Sequence, residues 1–215
     1  MTALVRYLLA DVLRTQRWLP PLLLFAAVLG MLYASDAGPP LPAYAGTCVL
    51  VYPVSAWLTA VIATAEDPVR RSVTVVAAGG WGRVQAAVAV LASLAAVALA
   101  AVAALVPVLT QPRPYPPATV LEGFAALAVC ALVGVGVGVL CGRPVITRAG
   151  WSVLASAALL VLVLLVGRTP PVGNVLWSLS HQDGVTGALA LSGALAVLFV
   201  VAATRLGTAL GPRRG

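Results

Sequence analysis

The sequence predicts an all-α, polytopic membrane protein that forms a single transmembrane domain over residues 1–215. Of its 215 residues, 61% are hydrophobic and 9% are charged, whereas soluble domains have about 45–50% apolar and about 25% charged residues. The apolar residues form several separate runs of roughly 20, the number that crosses about 30 Å of hydrocarbon as a helix. This distribution, with a mean hydropathy of +1.05, excludes a soluble enzyme with one anchor.

The apolar runs predict six transmembrane helices. They cover residues of about 18–34, 43–65, 84–106, 119–140, 148–166 and 185–203. Turn-forming residues from Ser35 to Pro42 make a tight hairpin of the first two. The third is expected to end at Pro107, because the following segment, Gln111 to Pro117, is too rich in proline for a helix. An even number of spans places both termini on one side of the membrane.

Arginine accounts for all 13 basic residues, against six acids, and its distribution predicts the orientation. The arginines are not clustered with aromatic residues, which argues against nucleic-acid binding. Eleven flank the same side of the predicted spans: Arg6, Arg14, Arg17, Arg70, Arg71, Arg83, Arg143, Arg148, Arg205, Arg213 and Arg214. Only Arg113 and Arg168 lie opposite, so the positive-inside rule predicts cytoplasmic N- and C-termini in the cell (plasma) membrane.

A cleaved signal peptide is the alternative for the N-terminus, since Ala43-Tyr44-Ala45 resembles a small-x-small cleavage site. Cleavage there would leave five spans, and the arginine-rich loops would then contradict the charge rule.

Residues 1–17 predict an amphipathic interfacial helix that leads into the first span. Arg6, Arg14 and Arg17 lie within about 80° of one another on a helical wheel. The opposite face is apolar and consists of Leu4, Val5, Leu8, Leu9, Val12 and Leu13. Such a helix lies along the membrane surface, with arginines at the headgroups. The alternative is the cytoplasmic end of a tilted first span.

The loop 66–83 between the second and third spans predicts a short helix with well-defined ends. Asp67 is a favourable N-cap, Pro68 suits the first helical position, and Gly79-Gly80 favours a C-terminal stop. Val69, Val73 and Val76 share one face of this helix, beside a face with Arg70 and Thr74. Arg70 and Arg71 are expected to project into the aqueous phase. A capped helix where a short connector would suffice indicates that a soluble partner docks here.

These features together resemble the membrane (permease) subunit of ABC-2-type ABC transporters. The resemblance is topological over most of the chain and rests on sequence only from Glu66 to Arg83, including the Gly80-Trp81-Gly82-Arg83 entry into the third span. It implies an N-terminal elbow helix and a coupling helix in the loop 66–83. The residues implied for ATPase coupling are Glu66, Asp67, Arg70, Arg71, Val73 and Arg83.

The resemblance implies an exporter that works by alternating access with a separate ABC ATPase subunit and a second permease subunit, identical or related. A chain without lysine has no Walker A motif, so ATP and magnesium are expected only in the partner, and this chain is not expected to be an enzyme or to hold a cofactor. The walls predicted for the substrate path, which include Tyr44, Tyr52 and Trp57, suit a hydrophobic or amphiphilic substrate. The alternative is a non-transporting scaffold or assembly factor that recruits a soluble partner through the same helix.

The segment 168–184 is too apolar between Val172 and Leu179 for an ordinary exterior loop. It fits either a re-entrant hairpin, as the resemblance implies, or a surface loop with Trp177 in the aromatic belt. His181 and Asp183, with Ser178 and Ser180 nearby, are the one group that suggests acid–base or nucleophilic chemistry, but no distant residue is expected to orient the imidazole.

The remaining polar residues do not predict a metal site or a proton relay. The other acids are dispersed, and Glu122 is expected in the first turn of the fourth span, where the helix N-terminus favours it. Cys48, Cys130 and Cys141 are widely spaced and fit small packing residues. A stripe of Ala126, Cys130, Gly134 and Gly138 predicts close helix packing, as do Ala188, Ser192 and Ala196. Packing within the bundle is favoured for both stripes over a subunit interface.

Overall fold

A computed structural model of the chain describes residues 2–142, 157–159, 161, 162, 165, 171–181 and 184–210. These residues are mostly helical, and no strand occurs among them. We number the helices α1 (Thr2–Thr15), α2 (Leu19–Leu32), α3 (Pro40–Thr64), α4 (Pro68–Ala78), α5 (Trp81–Thr110), α6 (Pro117–Cys141), α7 (Val172–His181) and α8 (Val185–Leu210). The all-α prediction agrees with this architecture.

Four of these helices are long and apolar enough to cross a membrane: α3, α5, α6 and α8. The first predicted span forms only the 14-residue α2, which follows α1 after a bend of 76°; counted together, the two would make a fifth span. Gln16, at the bend, has a positive φ of 53°. Most of the predicted fifth span, 148–166, lies outside the described residues, so six spans stay a prediction.

Helix α6 occupies the centre of the bundle, where its small residues allow close packing. Ala126 and Cys130 are fully buried. A Cβ atom added at Gly138 would lie 2.6 Å from the carbonyl oxygen of Ala56 in α3, and one at Gly136 would meet the ring of Phe199 in α8. Gly134 and Gly138 of the α6 stripe thus lie against α3 inside the bundle.

The second small-residue stripe lies on α8. Ser192 and Ala196 are fully buried and Ala188 is half-buried, in a helix whose apolar span is otherwise largely exposed. Packing within the bundle therefore accounts for two of the three positions.

Two helix ends differ from the sequence predictions. Helix α5 continues through Pro107 to Thr110, because a proline near a C-terminus removes one N–H bond without preventing the last turn. Helix α6 begins at Pro117, before the expected Thr119, and its first turn has no acid. The placement of Glu122 in the first turn was wrong, since the residue lies one turn further along the helix.

The described arginines separate between the two ends of the bundle. Gly82 lies beside Thr208, and Gly207 beside Gln85, so α5 and α8 run antiparallel with the start of α5 at the end of α8. This end, which we call the α4 end, also carries α4 and its arginines. Arg113 lies at the opposite end with the loop before α3. The other predicted positions, Arg143, Arg148, Arg168, Arg213 and Arg214, lie outside the described residues.

Candidate functional site

Helix α4 has the capped ends that its sequence predicts. The Asp67 side chain accepts a hydrogen bond from the Val69 amide at 3.4 Å, and Asp67 itself has the extended backbone of an N-cap. The helix ends at Gly79 in the left-handed conformation, with φ of 79°, where glycine has no Cβ to clash. Arg83 Nη1 then donates to the carbonyl oxygen of Ala78 at 3.2 Å and satisfies one of the last carbonyls.

The outward face of α4 is a row of exposed valines. Val69, Val73 and Val76 are 73%, 67% and 81% exposed, and we call them the valine row. Arg70 lies beside the row, with its Nη1 atom 4.0 Å from Oδ1 of Asp11 in α1. Exposed β-branched residues weaken a helix slightly and gain nothing from folding, so three on one face indicate a contact surface.

The inward face of α4 carries Arg71, which is only 7% exposed. Its Nη1 atom donates to the carbonyl oxygen of Ala63 in α3 at 2.8 Å, and its Nη2 atom donates to Oε1 of Gln85 in α5 at 3.3 Å. The guanidinium also lies 5.7 Å from the centre of the Trp81 ring. The sequence-based expectation that Arg71 projects into water was wrong, because position 71 faces the bundle once α4 packs on α5.

Glu66 connects the same region to α1. The residue is 8% exposed and accepts hydrogen bonds from the hydroxyls of Thr74 in α4 and Tyr7 in α1, the latter at 3.4 Å. A buried carboxylate needs such partners, because leaving it without them would cost several kcal/mol. Glu66 and Arg71 therefore attach α4 to α1, α3 and α5 together, and we call these contacts the α4 anchor.

A groove of about 640 Å³ runs between α1 and α4. Its walls combine aliphatic side chains with a phenol, a hydroxyl and a guanidinium: Ala3, Leu4, Tyr7, Val73, Thr74, Ala77, Ala78 and Arg83. Val73 belongs both to this groove and to the valine row. The exposed valines and the groove thus form one continuous surface at the α4 end.

The structure brings together all six residues predicted for coupling, but in different roles. Val73 and Arg70 are exposed, Asp67 and Arg83 cap α4, and Glu66 and Arg71 form the anchor. Sequence analysis missed Gln85 and Tyr7. Gln85 is the only amide within the apolar run of the third span, and a lone polar side chain in a span indicates a buried partner.

The opposite end of the bundle is joined by polar contacts that are exposed or half-buried. Gln111, after α5, accepts a hydrogen bond from the Ala37 amide at 3.0 Å and donates to the carbonyl oxygens of Tyr33 and Ser35. Arg113 donates from two nitrogens to Oδ2 of Asp36, at 3.1 and 2.8 Å.

Two acidic groups at this end have shifted pKa values. A hydrogen bond from the Gly38 amide, with a smaller contribution from Arg113, lowers the pKa of Asp36. Burial raises the pKa of Tyr115, whose ring packs edge-on against Tyr44 with centroids 5.7 Å apart.

The described part of the segment 168–184 contains a helix, so a plain surface loop was wrong. Val172, Val175 and Leu179 on one face of α7 are fully buried in the core. His181 stacks on Trp177 with ring centroids 3.6 Å apart, and the Ser178 hydroxyl donates to the carbonyl oxygen of Val175. Asp183, its suggested catalytic partner, lies outside the described residues.

The residues proposed to line a substrate path do not share a surface. Tyr44 and Tyr52 are fully buried in the bundle, whereas Trp57 is exposed on its outside. Tyr44 donates to the carbonyl oxygen of Ala104 at 2.9 Å, and the buried Tyr52 hydroxyl has no hydrogen-bond partner among the described residues. Cys48 in α3 and Cys130 in α6 are both fully buried in the bundle.

The part of the chain that the structure describes contains no group of three His, Cys, Asp or Glu residues able to hold a metal ion. No protein family matches the sequence, and neither the curated proteins nor the solved structures show a significant similarity to it.

Proposed function

We propose that this chain is the permease subunit of an ABC exporter and that α4 is its coupling helix. One observation carries the proposal: α4 exposes the valine row on one face while Arg71 on the other is bonded to both α3 and α5. A helix that only recruited a partner would not need fixed attachment to two long helices. A soluble ATPase that docks on the valine row would displace α4 and both helices with it.

The proposed mechanism uses the α4 anchor as the mechanical link. Closure of the partner ATPases on ATP pulls α4, and Arg71 transfers the displacement to the end of α3 and the start of α5. Because the side chain is buried and hydrogen-bonded, movement of α4 alone would break charge-assisted bonds worth about 1.5–3 kcal/mol each. Joint movement of the three helices costs less, and it reorients the bundle between its inward and outward forms.

The proposal retains the six-span topology with cytoplasmic termini in the cell membrane. Helix α1 then acts as an interfacial elbow: Arg6, Arg14 and Arg17 are exposed, and of its apolar face Leu8 and Val12 are buried while Leu9 and Leu13 are exposed. Exposed leucines on a surface helix suit the acyl boundary of a membrane.

A second permease subunit, identical or related, is needed to enclose a path for a hydrophobic or amphiphilic substrate. Helix α7, buried on one face at the end of the bundle away from α4, would cover that path. ATP and magnesium would bind only in the ATPase subunits.

A first experiment tests whether a nucleotide-binding protein docks on the valine row. The tagged full-length chain is purified from its native membranes in mild detergent, and copurifying proteins are identified by mass spectrometry. We expect an ABC ATPase with the wild-type chain and its loss with the double variant Val73→Asp, Val76→Asp. Ser72→Asp is the matched control, because it adds a carboxylate at an exposed position of α4 outside the valine row.

The outcomes of this experiment separate the two functions considered from the sequence. If the wild-type complex contains no nucleotide-binding subunit, the transporter proposal fails. A different soluble protein that is lost with the double variant would then establish the scaffold function. Equal loss of the ATPase with Ser72→Asp would show that added charge, rather than the valine row, disrupts the complex.

A second experiment separates docking from transmission with the variant Arg71→Met. Because the valine row is intact, we expect the ATPase to copurify at the wild-type ratio. Transport of a hydrophobic dye into inverted vesicles should fall at least tenfold, because the link to α3 and α5 is broken. Arg70→Met, which leaves the anchor intact, is the control. Undiminished transport by Arg71→Met would refute the mechanical role.

A further inference from the structure

A groove of about 410 Å³ lies between α5 and α8 on the outer surface of the bundle. On α5 its lining residues recur every three or four positions from Ala86 to Val97, which is one face of the helix. On α8 it is lined by Val200, Val201, Thr204 and Arg205. Val90, Leu94 and Val201 remain exposed along it, so the groove is accessible from the side of the bundle.

The dimensions of the groove match one leaflet of a bilayer. Ala86 and Val97 are 11 positions apart, which is about 16 Å along a helix at roughly 1.5 Å per residue. Half of the hydrocarbon thickness of a membrane is about 15 Å. Both helices are long and apolar enough to cross a membrane, so lipid is the medium expected along their exposed faces. The α5 face of the groove therefore has about the length of one acyl chain in a single leaflet.

Arg205 lies at one end of the groove. Gly207 packs beside Gln85, which puts Arg205 level with Ala86 and at the α4 end of the bundle. Its side chain is exposed, and within the described ranges no carboxylate lies at ion-pair distance from it. The hydroxyl of its neighbour Thr204 already donates its hydrogen to the carbonyl oxygen of Val200. The Arg205 guanidinium is therefore the polar group at this end of the groove with hydrogens to offer a ligand.

We propose that this groove is a binding site for an anionic phospholipid of the leaflet at the α4 end. One acyl chain lies along the apolar face from Ala86 to Val97, and the phosphate pairs with the Arg205 guanidinium. Basic pockets between transmembrane helices are suited to anionic headgroups, and an arginine near the surface contributes about fivefold in affinity for them. The site does not depend on transport or on an ATPase partner.

The test is native mass spectrometry of the purified full-length chain titrated with dioleoyl phosphatidylglycerol or with dioleoyl phosphatidylcholine. We expect the wild type to bind one phosphatidylglycerol preferentially. Arg205→Ala should weaken that binding roughly fivefold and weaken phosphatidylcholine binding less, because choline already neutralises the phosphate of that headgroup. Arg205→Gln, which retains most of the side-chain stem, should show the same selective loss. Arg17→Ala is the control for a general surface charge, because Arg17 is exposed away from the groove.

A second pair of variants tests the acyl-chain part of the site. Val90→Trp places an indole in the groove and should weaken binding of both lipids, whereas Val102→Trp, at an exposed position of α5 beyond the groove, should weaken neither. Thermal unfolding of each variant is measured in parallel, and only variants that retain the wild-type midpoint are compared. Unchanged phosphatidylglycerol binding by both Arg205 variants, an equal effect of Arg17→Ala, or equal effects of the two tryptophans would overturn the proposal.

Discussion

The two ends of the bundle use similar polar groups at different depths. At the α4 end, Arg71 and Glu66 are 7% and 8% exposed and bridge several helices. At the opposite end, the side chains of Arg113 and Asp36 are 51% and 44% exposed, although their nitrogen and oxygen atoms are only 2.8 Å apart. A short distance between two charges therefore does not show how much they add to the free energy of unfolding. That contribution depends on burial, because water screens the exposed pair and competes for its hydrogen bonds.

The largest expected effect comes from replacing the buried arginine. Arg71→Met should lower the free energy of unfolding by about 3 kcal/mol or more, because two hydrogen bonds from a charged donor, worth about 1.5–3 kcal/mol each, are lost and the amide of Gln85 loses its partner. Arg70→Met on the exposed face should change it by less than about 0.5 kcal/mol. Unfolding is followed in detergent with a thiol-reactive dye, since Cys48, Cys130 and Cys141 are all buried in the folded chain.

If Arg71→Met and Arg70→Met changed the free energy of unfolding equally, the buried contacts of Arg71 would not stabilise the fold. The position of α4 would then depend on its caps and not on the α4 anchor.

The next pair of variants tests whether burial, rather than position at one end of the bundle, determines how much a lost hydrogen bond lowers the free energy of unfolding. Tyr44 lies in the half away from α4, and Tyr44→Phe should lower the free energy of unfolding by about 1 kcal/mol, because its buried hydroxyl donates to the Ala104 carbonyl oxygen. Tyr52→Phe should be neutral or slightly stabilising, since it removes a buried hydroxyl that has no partner in the described bundle. A loss of stability with Tyr52→Phe matching that with Tyr44→Phe would refute this assignment.

A local effect is expected at the N-terminus of α4. Asp67→Ala removes the cap that accepts from the Val69 amide and should reduce the stability of α4 by about 1 kcal/mol. Hydrogen exchange of the α4 amides measures this change directly. Ser72→Ala, within the same helix, should leave exchange at the first turn unaltered. Faster exchange over the whole chain would show that the cap acts on global rather than local stability.

The smallest effect is expected at the opposite end, and it depends on pH. The Gly38 amide and Arg113 lower the pKa of Asp36 from its usual 3.8. A lowered pKa in the folded state means that the contribution to stability is present above 3.8 and is lost as the pH falls through the folded value. The wild type should therefore lose a little thermal stability below this pH, and Asp36→Asn should reduce that loss. At neutral pH, the melting temperature of Asp36→Asn should be close to that of the wild type. A marked loss at neutral pH would contradict the screening of this exposed pair.

Several features of α4 follow from local sequence alone. Asp67, Pro68 and Gly79 specify the ends of the helix through neighbouring backbone groups, so their effects need no tertiary contact. The valine row follows from the helical repeat. Local sequence did not predict which side of α4 faces the bundle, because arginine is usually exposed. Only the packing of α4 on α5 places Arg71 beside Gln85.

The sequence by itself determined the all-helical class, the apolar helices, the capped α4 and the small-residue stripe of α6. Composition is read from the chain as a whole, and periodicity and capping depend on residues within one or two helical turns. Only the tertiary structure decided that Arg71 is buried, that Tyr7 reaches Glu66, and that an open groove separates α5 from α8 beside Arg205. These contacts join residues on different helices, from 8 positions apart for Arg71 and Ala63 to 59 positions apart for Tyr7 and Glu66. Which residues meet depends on how the helices pack, and that packing is a property of the whole bundle rather than of any one segment.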